Sequence, residues 1–319
     1  MQRIDANEAA QLLMQQDDIL ILTHSSPDGD TLGCGFALLR ALEALGKTAR
    51  VACGDAIPQK YAYMWQGLTP KEFTPRYVVA VDIADLQLIG KELRENYGDK
   101  IDLCMDHHRS NTGYANNLCL EECAAACEII YAVILSLGVV LDKPMADCLY
   151  TGISTDTGCF RYANVTPRTH QIAAELIGIG ADAGEINRVM FETRTKAYLR
   201  LQSMALSSIE MYENDRCAFV LLTQKMFQES GCSESECDGI SSIPRKIEGV
   251  LAGVTVREKE DGSFKVSLRT HNPVDASEVC KKMGGGGHAR AAGCTLDGTR
   301  YQEEKAKLLS IIAEEIQKI

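Results

Sequence analysis

The sequence ILILTHSSPDGDTLGCG, residues Ile19–Gly35, combines a strand, a polar loop and the start of a helix. Its first five residues are mostly β-branched or apolar, which is typical of a buried strand. The loop that follows contains His24, Asp28 and Asp30, and a helical run, Leu32–Leu45, comes next. In open α/β sheets, ligands bind at the carboxyl ends of the strands. An imidazole and two carboxylates on such a loop indicate a site for a divalent ion such as Mn²⁺.

A simpler interpretation of this loop is that its carboxylates only cap the next helix and that the histidine is incidental. Three further apolar runs, however, stop at residues that can bind a metal ion: Val78–Val81 before Asp82, Ile101–Met105 before Asp106-His107-His108, and Leu149–Ser154 before Asp156. Four such coincidences exceed what turn chemistry explains. We therefore predict a single site with two metal ions.

The order of the predicted elements indicates an α/β fold. Strands alternate with helices through the first half of the chain, so the connections are crossovers and the sheet is parallel, with helices on both faces. A length of 319 residues is comfortable for two domains. We predict a metal-binding domain over residues 1–187, a helical linker over 188–207 and a smaller α/β domain over 208–319.

The smaller domain is predicted to contain three strands and two helices. The strands are Cys217–Thr223, Val250–Glu258 and Ser263–Arg269, and a hairpin turn joins the last two. A helix over Asp275–Met283 leads into the four glycines Gly284–Gly287. An amphipathic helix is predicted to close the chain.

Composition limits the classes of partner. The net charge of -11 argues against a broad grip on long duplex nucleic acid, which requires basic surface, but it is compatible with short phosphate-rich substrates. No apolar run is long enough to span a membrane, and the N-terminus lacks the apolar segment of a secretory signal. We therefore expect a cytoplasmic protein whose 13 cysteines are free thiols rather than zinc ligands.

Three motifs together resemble the DHH phosphoesterase family: the triplet Asp106-His107-His108, the glycine-rich GGGGHARAAG at Gly284–Gly293, and GISTDTGCFRYANVTPRTH at Gly152–His170. The resemblance covers nearly the whole chain and extends to the companion DHHA1 domain. The third segment is most similar to the subgroup of two-domain nanoRNases and pAp phosphatases, the NrnA type.

The resemblance implies a role for each metal-binding candidate. In the family the matching residues bind two divalent ions, usually Mn²⁺, with Mg²⁺ and Co²⁺ as alternatives. The first ion is held by His24, Asp28 and Asp82, and the second by Asp30, Asp82, His107 and Asp156, so that Asp82 bridges them. Asp106 supports a histidine instead of binding metal, as carboxylates behind ligand histidines commonly do.

The last residue of the triplet, His108, and the residue after it, Arg109, are two further catalytic candidates. The resemblance implies that His108 and Arg109 face the scissile phosphate, where a guanidinium fork binds phosphate oxygens and an imidazole protonates the leaving group. The alternatives remain open that Arg109 forms a surface salt bridge and that His108 is a satisfied core histidine.

The resemblance assigns substrate binding to the second domain. Gly284, Gly285, Gly286 and Gly287 would turn their N–H groups toward an anion. With His288, Arg269 and Ser267 they would recognise a terminal phosphate or nucleotide. The active site is then expected in the cleft between the two domains.

The implied function is hydrolysis of short oligoribonucleotides and linear dinucleotides to mononucleotides, and of 3′-phosphoadenosine 5′-phosphate (pAp) to AMP. The alternatives are a cyclic dinucleotide phosphodiesterase, a RecJ-like single-strand exonuclease, an inorganic pyrophosphatase and a non-catalytic nucleotide-binding module. The sequence leaves the oligomeric state open, a homodimer included. Arg161 and Tyr162 match the subgroup pattern, and anchoring of the loop after Asp156 is a sufficient alternative reason for them.

Overall fold

The computed structural model describes residues 1–237 and 239–318, and the chain divides into two units, Met1–Thr193 and Arg194–Ile319. A short α-helix, Ala183–Asn187, is followed by one π-helical segment, Arg188–Glu192, and a longer helix, Lys196–Ser207, begins the second unit. The domain boundaries proposed from the sequence stay predictions. No helix among the described residues has the length and apolar character needed to cross a bilayer.

The first unit is built on a six-stranded sheet in which every pairing is parallel. Its strands are β1 (Gln2–Ile4), β2 (Ile19–Thr23), β3 (Ala49–Cys53), β4 (Tyr77–Val81), β5 (Leu103–Asp106) and β6 (Asn117–Leu120). The strand order is β1-β6-β5-β4-β2-β3. The chain leaves β2 toward one edge of the sheet and leaves β4 toward the other, so a topological switch point lies between these two strands.

The helices of the first unit cover both faces of the sheet. They are α1 (Ala6–Met14), α2 (Gly29–Ala44), α3 (Lys91–Tyr97), α4 (Ala126–Ser136), α5 (Lys143–Asp156), α6 (Pro167–Ile179) and α7 (Ala183–Asn187). Strand β2 shows why both faces are apolar: Ile19 and Ile21 join the cluster around α1, α2, α4 and α5, whereas Leu20 and Leu22 join the cluster that includes Ile89. The predicted parallel-sheet α/β fold is confirmed.

Two details of the first unit add to the sequence interpretation. The apolar run Leu149–Ser154 belongs to α5, which follows the N-cap Asp142 and has a proline in its first turn, so Asp156 ends a helix, whereas Asp82 follows a strand. The edge strand β1 and its neighbour β6 were not predicted. They have three and four residues, too few for a periodic hydrophobic signal.

The second unit contains a six-stranded mixed sheet with the order β11-β12-β10-β9-β8-β7. Its strands are β7 (Glu210–Tyr212), β8 (Cys217–Leu222), β9 (Ala252–Glu258), β10 (Phe264–Thr270), β11 (Gly286–His288) and β12 (Ala291–Leu296); its helices are α8 (Lys196–Ser207), α9 (Gln224–Ser230), α10 (Ala276–Lys282) and α11 (Tyr301–Gln317). Among the pairings that the described residues form in this sheet, only that of β8 with β9 is parallel.

Alternation along β9 and β10 gives this sheet one apolar and one polar face. Val254, Val256, Val266 and Leu268 pack with apolar residues of α10 and α11. The intervening residues, among them Thr255 and Ser267, which are register partners, point to the opposite face. Three of the six strands agree with those predicted. The glycine-rich segment, predicted as a loop, contributes strand β11.

Candidate metal centre

The acidic and imidazole side chains of the first unit gather where β2, β4 and β5 end, at the switch point of the sheet. His24 directly follows β2, and Asp28 is the N-cap of α2, its carboxylate accepting hydrogen bonds from the N–H groups of Asp30 and Thr31. Asp82 directly follows β4. Each of these positions results from a buried parallel strand that stops at a polar loop, which is why sequence patterns could locate them.

All six predicted metal ligands lie in two adjoining groups. His24, Asp28 and Asp82 form one, with His24 Nε2 lying 3.5 Å from Asp28 Oδ1 and 3.8 Å from Asp82 Oδ2. Asp30, His107 and Asp156 form the other, with His107 Nε2 lying 4.0 Å from Asp30 Oδ2 and 3.5 Å from Asp156 Oδ2. Asp82 Oδ1 lies 3.5 Å from His107 Nε2. Asp82 therefore lies between the two groups, within 3.8 Å of an imidazole nitrogen of each.

The side chain of Asp82 is the strongest indication that cations belong here. Its Oδ1 is buried and accepts no hydrogen bond from the described residues, which is costly for a carboxylate. Burial and the neighbouring carboxylates of Asp30, Asp28, Asp156 and Asp106 raise its pKa well above the usual value. Its backbone is left-handed, with φ of 57°, a strain that non-glycine residues usually carry at functional sites. Divalent cations would satisfy the oxygen and balance the charge.

The two imidazoles are oriented as metal ligands usually are. His24 Nδ1 donates a hydrogen bond to the Ser25 carbonyl at 2.8 Å, and His107 Nδ1 donates one to the Cys123 carbonyl at 3.1 Å. Because carbonyl oxygens only accept, each Nδ1 carries the proton and each Nε2 presents a lone pair. Both Nε2 atoms face the carboxylates.

Asp30 is held by the first turn of α4. Its Oδ2 accepts from the N–H of Ala126 at 2.6 Å and its Oδ1 from the N–H of Cys127 at 3.0 Å. The side chain is fully buried, and burial raises its pKa although the nearby His107 acts in the opposite direction. The helix N-terminus supplies donors that favour the ionised carboxylate. No pattern around Ala126 signals this contact, because it joins residues about 96 positions apart.

Asp156 ends α5 and is the most accessible carboxylate of the second group. Burial, together with the charge of Asp30, raises its pKa to about 8, although His107 opposes this shift. The side-chain amide of Asn164 donates to the Asp156 carbonyl at 3.2 Å and to the Ala124 carbonyl at 3.0 Å. Asn164 thus joins the loop after α5 to the segment before α4.

Asp106 uses its oxygens within the protein and orients His108. Its Oδ1 accepts from His108 Nδ1 at 2.8 Å and from the N–H of His107 at 2.8 Å, and its Oδ2 accepts from Asn111 Nδ2 at 2.6 Å. Although burial alone would raise the pKa of Asp106, the hydrogen bonds from His108 and Asn111 lower it. His107, by contrast, is oriented by the Cys123 carbonyl. Asn111 and Cys123 are supporting residues that the sequence patterns did not reveal.

His108 and Arg109 differ in their surroundings. The ring of His108 is 39% exposed, and its Nδ1 is bound to Asp106, which leaves Nε2 as the nitrogen that can act on a ligand. The guanidinium of Arg109 is 79% exposed and pairs with the carboxylate of Glu122. This is the surface salt bridge considered as the alternative, and the phosphate-binding role of Arg109 stays a prediction.

In the second unit, Ser267 and Arg269 lie on the polar face of β10 and line a cavity of about 230 Å³. Thr255, Arg257 and Lys265 line it as well, from the same face of β9 and β10. The only hydrogen bond that Arg269 makes to the described residues goes to the Leu268 carbonyl. Burial and the nearby positive charge of Arg245 lower its pKa. This half-buried cation among hydroxyl groups is suited to an anion.

The glycine-rich segment is a turn followed by a hairpin. Gly284 and Gly285 end α10, where their N–H groups donate to the carbonyls of Lys281 and Cys280. A Cβ at Gly285 would come within 2.1 Å of the Gly293 carbonyl, so only glycine fits. Gly286 and Gly287 pair with β12, and the exposed His288 is the register partner of Ala291. The four glycines therefore do not form one continuous loop.

Two segments of this chain match known protein families. Residues 18–153 match the DHH family, N-terminal domain, and residues 218–318 match the DHHA1 domain. The chain belongs to the DHH family. The resemblance found in the sequence motifs is thereby confirmed, and as a member of this family the chain is an enzyme that hydrolyses phosphoester bonds.

Two relatives of this DHH protein share the same name. The Bifunctional oligoribonuclease and PAP phosphatase NrnA of Thermus thermophilus is 33% identical over 93% of this chain and 90% of its own. The protein of the same name from Bacillus subtilis is 27% identical over 88% of this chain and 90% of its own. A solved structure, an exopolyphosphatase-related protein from Bacteroides fragilis, covers 97% of this chain and 95% of its own with a TM-score of 0.87 and 24% identity, and it shows the fold.

Proposed function

We propose that this DHH protein is a manganese-dependent phosphoesterase that hydrolyses short oligoribonucleotides and linear dinucleotides to mononucleotides, and pAp to AMP. The observation that carries the proposal is the buried, unpartnered Oδ1 of Asp82 between two groups of carboxylate and imidazole ligands. The relatives named oligoribonuclease and PAP phosphatase support the choice of substrates.

Two divalent ions are proposed to bind the six ligands. His24, Asp28 and Asp82 would hold one ion, and Asp30, Asp82, His107 and Asp156 the other. This oxygen-rich set with imidazole suits Mn²⁺, and Mg²⁺ or Co²⁺ would also fit its chemistry. When bound, such ions stabilise charge on phosphoryl oxygens and make a bound water acidic.

The protein's own groups supply orientation and proton transfer. Asp106, itself held by Asn111, binds His108 Nδ1, so that Nε2 can donate a proton to the leaving oxygen. The α4 N-terminus holds Asp30 in place, and its N–H groups favour the ionised carboxylate. We propose that Arg109 leaves Glu122 to bind a phosphate oxygen, an exchange that is inexpensive because the pair is exposed.

Substrate capture is proposed for the polar face of the second unit. Arg269 and Ser267 would bind a phosphate, because the guanidinium lacks a carboxylate partner among the described residues and the hydroxyl lies two residues away on the same face. The exposed His288 and the Gly284–Gly287 segment would contact the nucleotide. The net charge of -11 restricts this grip to short substrates. The 13 free thiols are consistent with a reducing cytoplasm.

The proposal is tested by comparing substrates side by side with Mn²⁺ present. The assay uses pAp, pApA, a five-residue RNA, cyclic di-AMP and pyrophosphate, and the Asp82→Ala variant serves as the blank. We expect turnover of pAp, pApA and the RNA, and none by the variant. Preference for cyclic di-AMP would reassign the substrate, and binding of nucleotide without turnover of any substrate would identify a binding module.

A further inference from the structure

The loop that follows Asp156 presents an aromatic side chain with no assigned role. Tyr162 is 53% exposed. Its hydroxyl has no hydrogen-bond partner among the described residues, so the ring is not held there by its polar end. The aromatic ring lies on the backbone of Gly158, where an added Cβ would come within 2.3 Å of Tyr162 Cζ. Position 158 therefore has to be glycine for the ring to lie where it does.

The backbone beneath Tyr162 is unusual. Gly158, Cys159 and Phe160 are left-handed in succession, with φ of 56°, 59° and 60°. Such a conformation costs free energy at Cys159 and Phe160, and it persists only where the surroundings enforce it. The N–H of Tyr162 donates to the Thr157 carbonyl at 3.1 Å, so the turn folds back on itself.

Neighbouring side chains brace the turn from within. Phe160 stacks on His170 with ring centroids 5.3 Å apart. Arg161 Nε donates to the Gly158 carbonyl at 2.5 Å, and its guanidinium lies over the ring of Phe191. Arg161 is thus occupied within the loop, and Tyr162 is the member of the pair that is presented outward.

The position of the ring relates it to the metal centre. Gly158 is two residues from Asp156, so their Cα atoms lie within about 7.6 Å of each other. A side chain resting on Gly158 therefore lies beside the end of α5 at which Asp156 is placed. Aromatic side chains bind bases by stacking, and they accept any base because each has a π face.

We propose that Tyr162 stacks on the base of the nucleotide whose phosphate is bound at the metal centre, and that the left-handed turn at Gly158–Phe160 serves to present it. This inference rests on the proposed function, since it requires a nucleotide substrate. It adds a base contact to a site otherwise described by phosphate chemistry alone.

The test compares Tyr162→Leu with Tyr162→Phe, which keeps the ring and removes the hydroxyl. Each variant and the wild-type enzyme hydrolyse pAp and ribose 3,5-bisphosphate, which carries the same phosphates without a base. Tyr162→Leu is expected to raise KM for pAp by about 5- to 100-fold. It should change KM for the base-free substrate by less than about two-fold, and Tyr162→Phe should resemble the wild type on both.

Three results would overturn the stacking role. The first is an unchanged KM for pAp in Tyr162→Leu. The second is an equal rise in KM for both substrates in that variant, which a distorted loop would cause. The third is a rise in KM for pAp in Tyr162→Phe as large as that in Tyr162→Leu. If the wild-type enzyme hydrolyses neither substrate, the proposed function fails, and binding of a 2-aminopurine dinucleotide then decides separately. Quenching of its fluorescence by wild type and Tyr162→Phe but not by Tyr162→Leu would support stacking, and equal quenching by all three would refute it.

Discussion

The metal centre of the first unit and the polar cavity of the second unit have opposite electrostatic characters. Around Asp82, carboxylates crowd a buried oxygen that has no donor. Around Arg269, the cations Arg257 and Lys265 line a cavity with hydroxyl groups. Crowding of like charges costs free energy unless a ligand of the other sign is present, and this cost is greater around Asp82, because Arg257 is already paired with Glu234 at 3.6 Å. The comparison supports the proposal that this acidic chain binds cations in one region and phosphate in another.

The largest effect is expected from Asp82→Asn. This change removes the proposed shared ligand. We expect kcat to fall by about 1000-fold or more, because metal ions stabilise the charge that develops in the transition state by several kcal/mol. Loss of Mn²⁺ binding should accompany it in calorimetry. The metal-free variant should unfold at a temperature no lower than that of the wild type, because an unpartnered buried charge is gone.

Asp102→Asn is the matched control for this change. Asp102 lies at the amino end of β5, where its carboxylate accepts from the N–H of Val78 at 2.9 Å, away from the carboxyl ends of the strands. The Asp102→Asn variant should retain near-normal activity and Mn²⁺ affinity. Equal loss of activity in the two variants would show that the acidic centre is structural.

Arg269→Gln tests the basic region and is expected to have the second largest effect. Loss of charge-assisted hydrogen bonds to phosphate should raise KM for pAp by about 10- to 100-fold with little change in Mn²⁺ affinity. Arg300→Gln is the matched control, because Arg300 pairs with Asp297 and Glu304 on the surface of the same unit. An unchanged KM for pAp in Arg269→Gln would show that the cavity does not bind the substrate.

The pH dependence of stability should distinguish metal-free from metal-loaded protein. Burial and Asp30 raise the pKa of Asp156 to about 8, and carboxylates raise those of His24 and His107 although burial opposes this. The folded protein then binds more protons than the unfolded chain near neutrality, so its free energy of unfolding falls as pH rises to 8. Without metal, the melting temperature should drop by about 2–5 °C per pH unit between pH 6 and 8.

Saturating Mn²⁺ should abolish that drop, since the cations replace the protons at the same oxygens. Scanning calorimetry in chelator and in Mn²⁺ measures both curves. A melting temperature of the metal-free protein that rises with pH would contradict the described charge crowding.

The smallest effects concern the exposed pair Arg109 and Glu122. If Arg109 exchanges partners as proposed, Arg109→Gln should raise KM by about 5-fold, and Glu122→Gln should lower it by about 2-fold because a competing carboxylate is removed. Steady-state kinetics on pAp measures both. No change in either variant would assign Arg109 to the surface salt bridge alone.

Local sequence determined the strands that end at the site and the residues that follow them. A strand buried on both faces, such as Ile19–Thr23, is recognisable from five apolar or β-branched residues, and the polar loop after it must lie at the sheet's edge. Five of the six proposed metal ligands follow such a strand, and Asp156, at the end of α5, was found from the apolar run Leu149–Ser154 before it. The second sheet was recognised only in part, because β7 and β11 have three residues each and β12, AAGCTL, begins with alanines and a glycine, which are depleted in strands.

Only the tertiary structure decided which groups support the ligands. The α4 amides that bind Asp30, the Asn111 amide on Asp106 and the contact of Tyr162 with Gly158 have no signature in composition or spacing. Hydrogen bonds of this kind depend on where chain segments meet after packing, and many donors along the chain could have served. Residue chemistry therefore predicted what the site contains, and packing selected the partners that orient it.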